Sequence, residues 1–207
     1  IRDYKVTGVQ TCALPILEFI ELLNITSNAV PLFDPASPTN TWHVRGDADF
    51  DFPTNVTLAP GAALLVVNFD PLNDASAAAV FRSTYALSAQ VPLFGPYSGS
   101  LDNAGARVEL NKPDAPNAGT IPRILVEEVR YSNSAPWPVA ADGGGSSLQR
   151  LVVADYGNDP ANWFAAGLSP GASKVFNVAP AVHIVSPTNG ASFGKPLTLT
   201  QIGRAHV

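Results

Sequence analysis

Cysteine and histidine are scarce in this 207-residue sequence, which excludes several kinds of chemistry. Cys12 is the only cysteine, so no disulfide can form within the chain. His43, His183 and His206 are the only histidines. A zinc site needs three or four converging histidine, cysteine or carboxylate ligands. We therefore expect no zinc centre, and the sequence predicts no cofactor.

Long apolar segments and an excess of basic residues are also missing. No apolar run approaches the roughly 20 residues of a membrane-spanning helix. The chain has 12 lysines and arginines against 17 aspartates and glutamates, a formal charge of −5. An acidic surface does not favour nucleic acid or an anionic membrane. We therefore predict neither nucleic-acid binding nor membrane insertion.

Methionine is absent, and two stretches near the ends look like one piece of DNA read from both strands. When the final QIGRAHV is reverse-translated, the opposite strand can encode Thr-Cys-Ala-Leu-Pro-Ile, the sequence of residues 11–16. The preceding VTGVQ resembles a translated sequencing adapter that continues in the same frame. We therefore expect residues 1–16 and 201–207 to be adapter-derived artefacts. The part between them is then a fragment of a longer protein.

Between these stretches, alternating apolar and polar residues predict short β-strands. In GDADFDFP an apolar residue follows each aspartate, which gives one apolar and one charged face. TWHVRG and ARVELN show the same period of two, and AALLVVNF is a continuous apolar run typical of a strand buried on both faces. EFIELLN, RILVEEVRYS and SSLQRLVV complete a set of seven predicted strands.

One segment, NDASAAAVFRSTYAL, predicts a helix of two or three turns. Asp74 can cap its first turn, and Val80 and Phe81 are expected to face the core. Pro-Gly turns, such as the one at Gly61, separate the strands. The pattern predicts an all-β sandwich of two antiparallel sheets with one short helix. The residues predicted to fill its core are Trp42, Phe50, Phe52, Val66, Val108, Leu110, Val129 and Tyr131.

The composition changes near residue 168 and predicts a domain boundary. Residues 168–181 are rich in small residues, as is typical of a linker. Residues 182–200 combine a strand, a Pro-Thr-Asn-Gly turn and the start of another strand. They resemble the truncated start of a second, bacterial immunoglobulin-like module. The sandwich itself is assigned to residues 17–167.

Five stretches of residues 17–167 resemble, in order, a bacterial lamin-tail domain: EFIELLN, GDADFDFPTNVTLAPGAALLVV, FGPYSGSLDNAGARVELNKP, EEVRYSNSAPWPVAADGGGSSLQRL and YGNDPANWFAA. The resemblance implies an immunoglobulin-like β-sandwich without an active site, used as an accessory module of large exported proteins. It also implies an extracellular or cell-surface location. Family members begin with another strand before EFIEL, where the adapter-like sequence stands here. We therefore expect the first strand to be missing and the sheet edge near Glu18 to be exposed.

Few side chains could carry catalysis. A Ser-His-Asp triad would depend on His43, which is predicted on the charged side of a strand, and no serine lies in a G-x-S-x-G elbow. Glu127 and Glu128 are adjacent, so they point to opposite faces of a strand and cannot form an acid/base pair. We expect one of them to be half-buried and paired with Arg130 or Arg150 in a structural role.

Two other groups of residues could bind ligands. Asp47, Asp49 and Asp51 could attract calcium, but a straight strand cannot wrap three side chains around one ion, so we predict a solvated face. Tyr97, Trp137 and Asp142 lie in loops and are candidate ligand-binding residues, since loop aromatics can stack on a sugar or a peptide. The alternative is that the two rings cap the open ends of the sandwich.

Together these observations predict a non-catalytic, lamin-tail-like β-sandwich that acts as an interaction or spacer domain in a larger exported bacterial protein. The expected partner is a protein or glycan at the cell surface. Two alternatives remain open. One is a carbohydrate-binding module. The other is an accessory domain of a hydrolase or spore-coat-kinase-like enzyme whose catalytic domain lies outside this fragment.

Overall fold

A computed structural model describes residues 4–10, 18–142 and 145–171. The strands within these ranges are β1 (Tyr4–Gln10), β2 (Phe19–Asn24), β3 (Val30–Pro31), β4 (Phe33–Asp34), β5 (Ser37–Thr41), β6 (His43–Gly46), β7 (Ala48–Asp51), β8 (Thr57–Leu58), β9 (Ala63–Val67), β10 (Leu93–Phe94), β11 (Ser98–Gly99), β12 (Gly105–Pro113), β13 (Arg123–Ser132), β14 (Ser146–Arg150) and β15 (Trp163–Gly167). Helix α1 spans Ala75–Thr84, and short 3₁₀ turns span Val139–Ala141 and Pro160–Asn162.

The strands form two main sheets that enclose one core. The six-stranded sheet has the order β10-β9-β2-β1-β14-β15, and the five-stranded sheet has the order β11-β7-β6-β12-β13. Ile20 and Leu22 of the first sheet pack in the same buried cluster as Val108 and Leu110 of the second. The predicted all-β sandwich with one short helix is therefore confirmed. The expectation of purely antiparallel sheets is wrong at one edge, where β10 runs parallel to β9.

The first strand is present, contrary to expectation. Strand β1 consists of adapter-like residues, and it pairs antiparallel with β2 on one side and with β14 on the other. Val6 and Val9 are at most 2% exposed and face the core. A strand at this position satisfies backbone groups of β2 and β14 that would otherwise lie unpaired in the sheet. The predicted open edge near Glu18 is thus occupied.

Strand β9 is covered on both faces, as its continuous apolar sequence predicts. Leu64 and Val66 face the shared core, whereas Leu65 and Val67 face a second cluster that includes Phe81 of helix α1. The predicted N-cap is confirmed, because the Asp74 side chain accepts a hydrogen bond from the Ala77 amide at 2.9 Å.

One helix prediction is wrong: Val80 is 45% exposed, while Phe81 is fully buried. Successive helical residues differ by about 100° in direction, so one of the two turns away from the sheet.

The predicted core is largely confirmed. Seven of the eight residues are at most 5% exposed, and the exception, Phe50, is half-buried. Phe50 still packs edge-on against Phe52, with ring centres 5.1 Å apart. Gly61 has the positive φ of 67° that the predicted turn requires.

The chain divides into two units, Ile1–Val175 and Phe176–Val207. The predicted second module at residues 182–200 and the adapter-like residues 201–207 lie outside the described residues. The beginning of the predicted linker is packed, because Leu168 contacts the cluster under helix α1. Among the described residues, no helix is long and apolar enough to cross a membrane.

Candidate functional site

The three predicted ligand-binding residues do not form a common surface. Tyr97 and Trp137 are only 5% and 8% exposed. The Tyr97 hydroxyl donates to Glu18 Oε2 at 2.7 Å, and the Trp137 ring centre lies 6.1 Å from that of Trp163. Asp142 is exposed and accepts a hydrogen bond from Asn133 Nδ2 at 3.2 Å. The two rings are part of the core, which agrees with the capping alternative and not with an exposed stacking platform.

Burial and the contact between Tyr97 and Glu18 shift the pKa values of both side chains. Burial raises the pKa of the Glu18 carboxyl, and the hydrogen bond from Tyr97 opposes that shift. Burial and the neighbouring Glu18 raise the pKa of the Tyr97 hydroxyl far above its ordinary value. Tyr97 is therefore a protonated donor at any physiological pH, and it fixes the start of β2 against the loop between β10 and β11.

Among the described residues, the most deeply buried charges are Lys5, Glu127 and Arg150, each at most 2% exposed. Glu127 Oε2 lies 3.4 Å from Lys5 Nζ and 3.3 Å from Arg150 Nη1. Both cations donate to the Asp155 carbonyl. Glu127 lies on β13 and Arg150 on β14, so this buried charge cluster joins the two sheets. The predicted pairing of one glutamate with Arg150 is confirmed, but Glu127 is fully buried and not half-buried as expected.

The motif YGNDPANW covers this cluster, and four of its side chains make structural hydrogen bonds: Asn158, Asp159, Asn162 and Trp163. A Cβ added at Gly157 would lie 2.3 Å from Glu127 Oε1 and 2.7 Å from Arg150 Nη1, so a larger residue would displace the ends of the buried ion pair. Asn158 Oδ1 accepts the Arg130 amide at 2.9 Å. The Trp163 indole donates to the Gly157 carbonyl at 2.7 Å, and its ring centre lies 5.2 Å from the Arg150 guanidinium carbon. The motif thus closes the sandwich over a buried ion pair.

Asn162 fixes the same loop from the other side. Its Oδ1 accepts the Val152 amide at 2.8 Å, and its Nδ2 donates to the Val152 carbonyl at 3.0 Å. The Asp159 side chain caps the following 3₁₀ turn by accepting the Ala161 amide at 3.0 Å. These contacts satisfy backbone groups of an irregular segment, as side chains in such loops commonly do.

The predicted charged face lies on the outside of the five-stranded sheet, but its aspartates do not converge. Asp47 Oδ2 accepts the Arg107 amide at 2.6 Å, Asp51 Oδ1 accepts from Arg45 Nη2 at 2.5 Å, and Asp49 is exposed. In the described part of the chain, no group of three or more histidine, cysteine, aspartate or glutamate side chains is placed to hold a metal ion.

His43 lies on this face with Arg45 and Asp51. Arg45 Nη2 is 2.8 Å from His43 Nδ1, and His43 Nε2 is 3.7 Å from Asp51 Oδ1. Burial and the nearby Arg45 lower the pKa of His43. The imidazole is therefore neutral at pH 7, with Nδ1 accepting from the guanidinium. These contacts bind β6 to β7.

A carboxylate that the sequence does not single out lies in a cleft on the outer face of the six-stranded sheet. Glu21 is 7% exposed. Its Oε1 accepts from the Thr7 hydroxyl at 2.8 Å, and its Oε2 accepts from the Gly171 amide at 2.6 Å. Burial raises the pKa of Glu21, and these two hydrogen bonds oppose the shift. We call this space the Glu21 cleft; it measures about 440 Å³ including its open mouth and is lined by Thr7, Phe19, Glu21, Ser147, Gln149 and Pro170, among others.

The sequence does carry a signal for Glu21. The alternation of EFIELLN places Phe19, Glu21 and Leu23 on the same face of β2, and a glutamate between two large apolar residues indicates burial. The position of Gly171 against this carboxylate could not be deduced, because the contact joins residues 150 positions apart.

Comparison with known proteins gives no family for this chain. No protein-family model matches the sequence, and no curated protein matches it.

Proposed function

We propose that residues 17–167 form a lamin-tail-like, immunoglobulin-like module without catalytic activity, which serves as an interaction or spacer domain in a larger exported bacterial protein. One observation supports this most: in the lamin-tail-like motifs EEVRY, SSLQRL and YGNDPANW, buried polar groups serve to hold the sandwich together. Glu127 and Arg150 are at most 2% exposed, whereas a catalytic group must reach its substrate.

The partner in this proposal is a protein at the cell surface or outside the cell. The carbohydrate-binding alternative depended on Tyr97 and Trp137, and the burial of both rings counts against a stacking surface for sugars. The other alternative, an accessory domain of a hydrolase or kinase-like enzyme, concerns the rest of the parent protein. Sequencing the gene beyond both ends of this chain tests whether it encodes such a catalytic domain.

The test uses the full chain, fluorescently labelled, in three assays. We expect saturable binding to proteins of a bacterial cell-envelope fraction, no binding on a glycan array, and no turnover of ester, glycoside or phosphodiester substrates. Saturable glycan binding would instead favour the carbohydrate-binding alternative. Turnover that disappears on heat unfolding would contradict the absence of catalysis.

A further inference from the structure

We propose that the Glu21 cleft binds the primary ammonium group of a lysine side chain presented by a partner chain. The proposal rests on the interaction role proposed above and names the chemistry that a partner would bring. It is argued from the charge, size and walls of the cleft.

Among the described residues, no cation forms an ion pair with Glu21. Glu21 accepts two hydrogen bonds from uncharged donors, Thr7 and Gly171. Arg150 lines the same cleft, but its guanidinium contacts Glu127 and two backbone carbonyls. A carboxylate can accept about four hydrogen bonds, so Glu21 retains capacity for a charged donor. Burying a carboxylate without a cation is unfavourable, and a bound ammonium would relieve that cost.

The size of the cleft selects a small cation. The cleft as a whole has room for one or two groups of the size of water. An ammonium group fits this space, whereas the planar guanidinium of arginine is larger and carries five donors in a fixed fork.

The walls match the rest of a lysine side chain. Phe19, Leu23, Val153 and Pro170 supply apolar surface, against which a methylene stem can pack while its charged end reaches the carboxylate. Ser147 and Ser169 also line the cleft, and a serine hydroxyl can accept a hydrogen bond from an ammonium group. Apart from Thr7 and Gly8, these lining residues belong to the part of the chain outside the adapter-like segment.

The experiment titrates the full, isotopically labelled chain with Nα-acetyl-lysine methylamide and follows the amide NMR signals of Gly171 and Ser147. We expect saturable shifts. The matched ligand, in which the ε-amine is acetylated, should bind at least about tenfold more weakly because it lacks the charge. Glu21→Gln should weaken binding of the free amine by a similar factor. Glu18→Gln, which removes a half-buried carboxylate outside the cleft, should leave it unchanged.

Several results would overturn the proposal. These are the absence of saturable shifts, equal binding of both ligands, or unchanged binding in Glu21→Gln. The ligand comparison uses the unaltered chain, so it decides the matter even if Glu21→Gln fails to fold.

A Lys174→Gln variant identifies the source of the ammonium, because Lys174 follows Gly171 by only three positions. Unchanged affinity supports a partner lysine, whereas tighter binding would show that the chain's own lysine occupies the cleft and would overturn that assignment. Failure of the titration would leave binding to envelope proteins intact, so the two proposals fail separately.

Discussion

Replacing Glu127 with alanine removes the only carboxylate that the described structure places against two buried cations, Lys5 and Arg150. Removing one partner of a buried ion pair costs about 3–5 kcal/mol, because the remaining charge stays buried without compensation. That is a large part of the roughly 5–15 kcal/mol by which a domain is stable. In a chain of this size each ~1 kcal/mol lowers Tm by about 2–4 °C, so we expect Glu127→Ala to melt roughly 6–20 °C lower.

Glu128→Ala is the matched control, since it makes the same change at the next residue of β13. Glu128 is paired with Arg107 and Arg130 at 3.0 Å, but this group lies on the solvated face. Surface ion pairs contribute about 0–1 kcal/mol, so its Tm should change by a few degrees at most. Thermal melts followed by circular dichroism measure both variants. Equal losses of Tm, or a larger loss for Glu128→Ala, would refute the structural role of the buried charge cluster.

Three further predictions concern helix α1, a turn and the Glu21 cleft. Phe81→Ala should lower the free energy of unfolding by about 3–5 kcal/mol, whereas Val80→Ala, at an exposed position, should lower it by less than about 1 kcal/mol. Urea denaturation measures both, and comparable losses would contradict the orientation of the helix. Gly46→Ala should cost about 1–3 kcal/mol or prevent folding, because φ is +116° and the new Cβ would lie 2.2 Å from the Arg107 carbonyl oxygen; a Tm equal to that of the unaltered chain would exclude this contact. The raised pKa of Glu21 means that its contribution to the free energy of unfolding is greatest below pH 4.5 and declines as the pH rises through the folded-state pKa. Urea denaturation at several pH values between 4.5 and neutrality should show this decline in the unaltered chain and a smaller decline in Glu21→Gln. Identical pH profiles of the two chains would contradict the raised pKa of Glu21.

Much of the sandwich could be predicted because its strands follow simple local rules. The alternation of Val44, Val108 and Leu110 with polar neighbours identifies the faces of β6 and β12, and all three are fully buried. The continuous apolar run of β9 correctly predicts that both faces of this strand are buried. The shared core covers one face, and the cluster that includes Phe81 of helix α1 covers the other. Local patterns cannot supply the pairing of β1 between β2 and β14, because that order depends on contacts between distant segments.

The candidate sites could be predicted less well than the fold. A position in a loop favours Tyr97 and Trp137 as exposed, ligand-binding residues. An aromatic ring in a loop can also fold back into the core, as both rings do here. Glu127 and Glu128 could be assigned to opposite faces from their adjacency, although the sequence does not say which one is buried. The Glu21 cleft depends on the position of Gly171, and no local pattern encodes a contact of that range.

The position of β1 is the claim on which the other assignments depend, because β1 carries Lys5 to the buried charge cluster and Thr7 to the Glu21 cleft. Hydrogen–deuterium exchange of the full chain, read at single amides by NMR, tests it directly. A strand paired on both sides opens only with its sheet, so the protected amides of residues 4–10 should exchange as slowly as those of β2 and β14. Exchange of residues 4–10 at the rate of an unfolded peptide, with β2 and β14 still protected, would contradict the account.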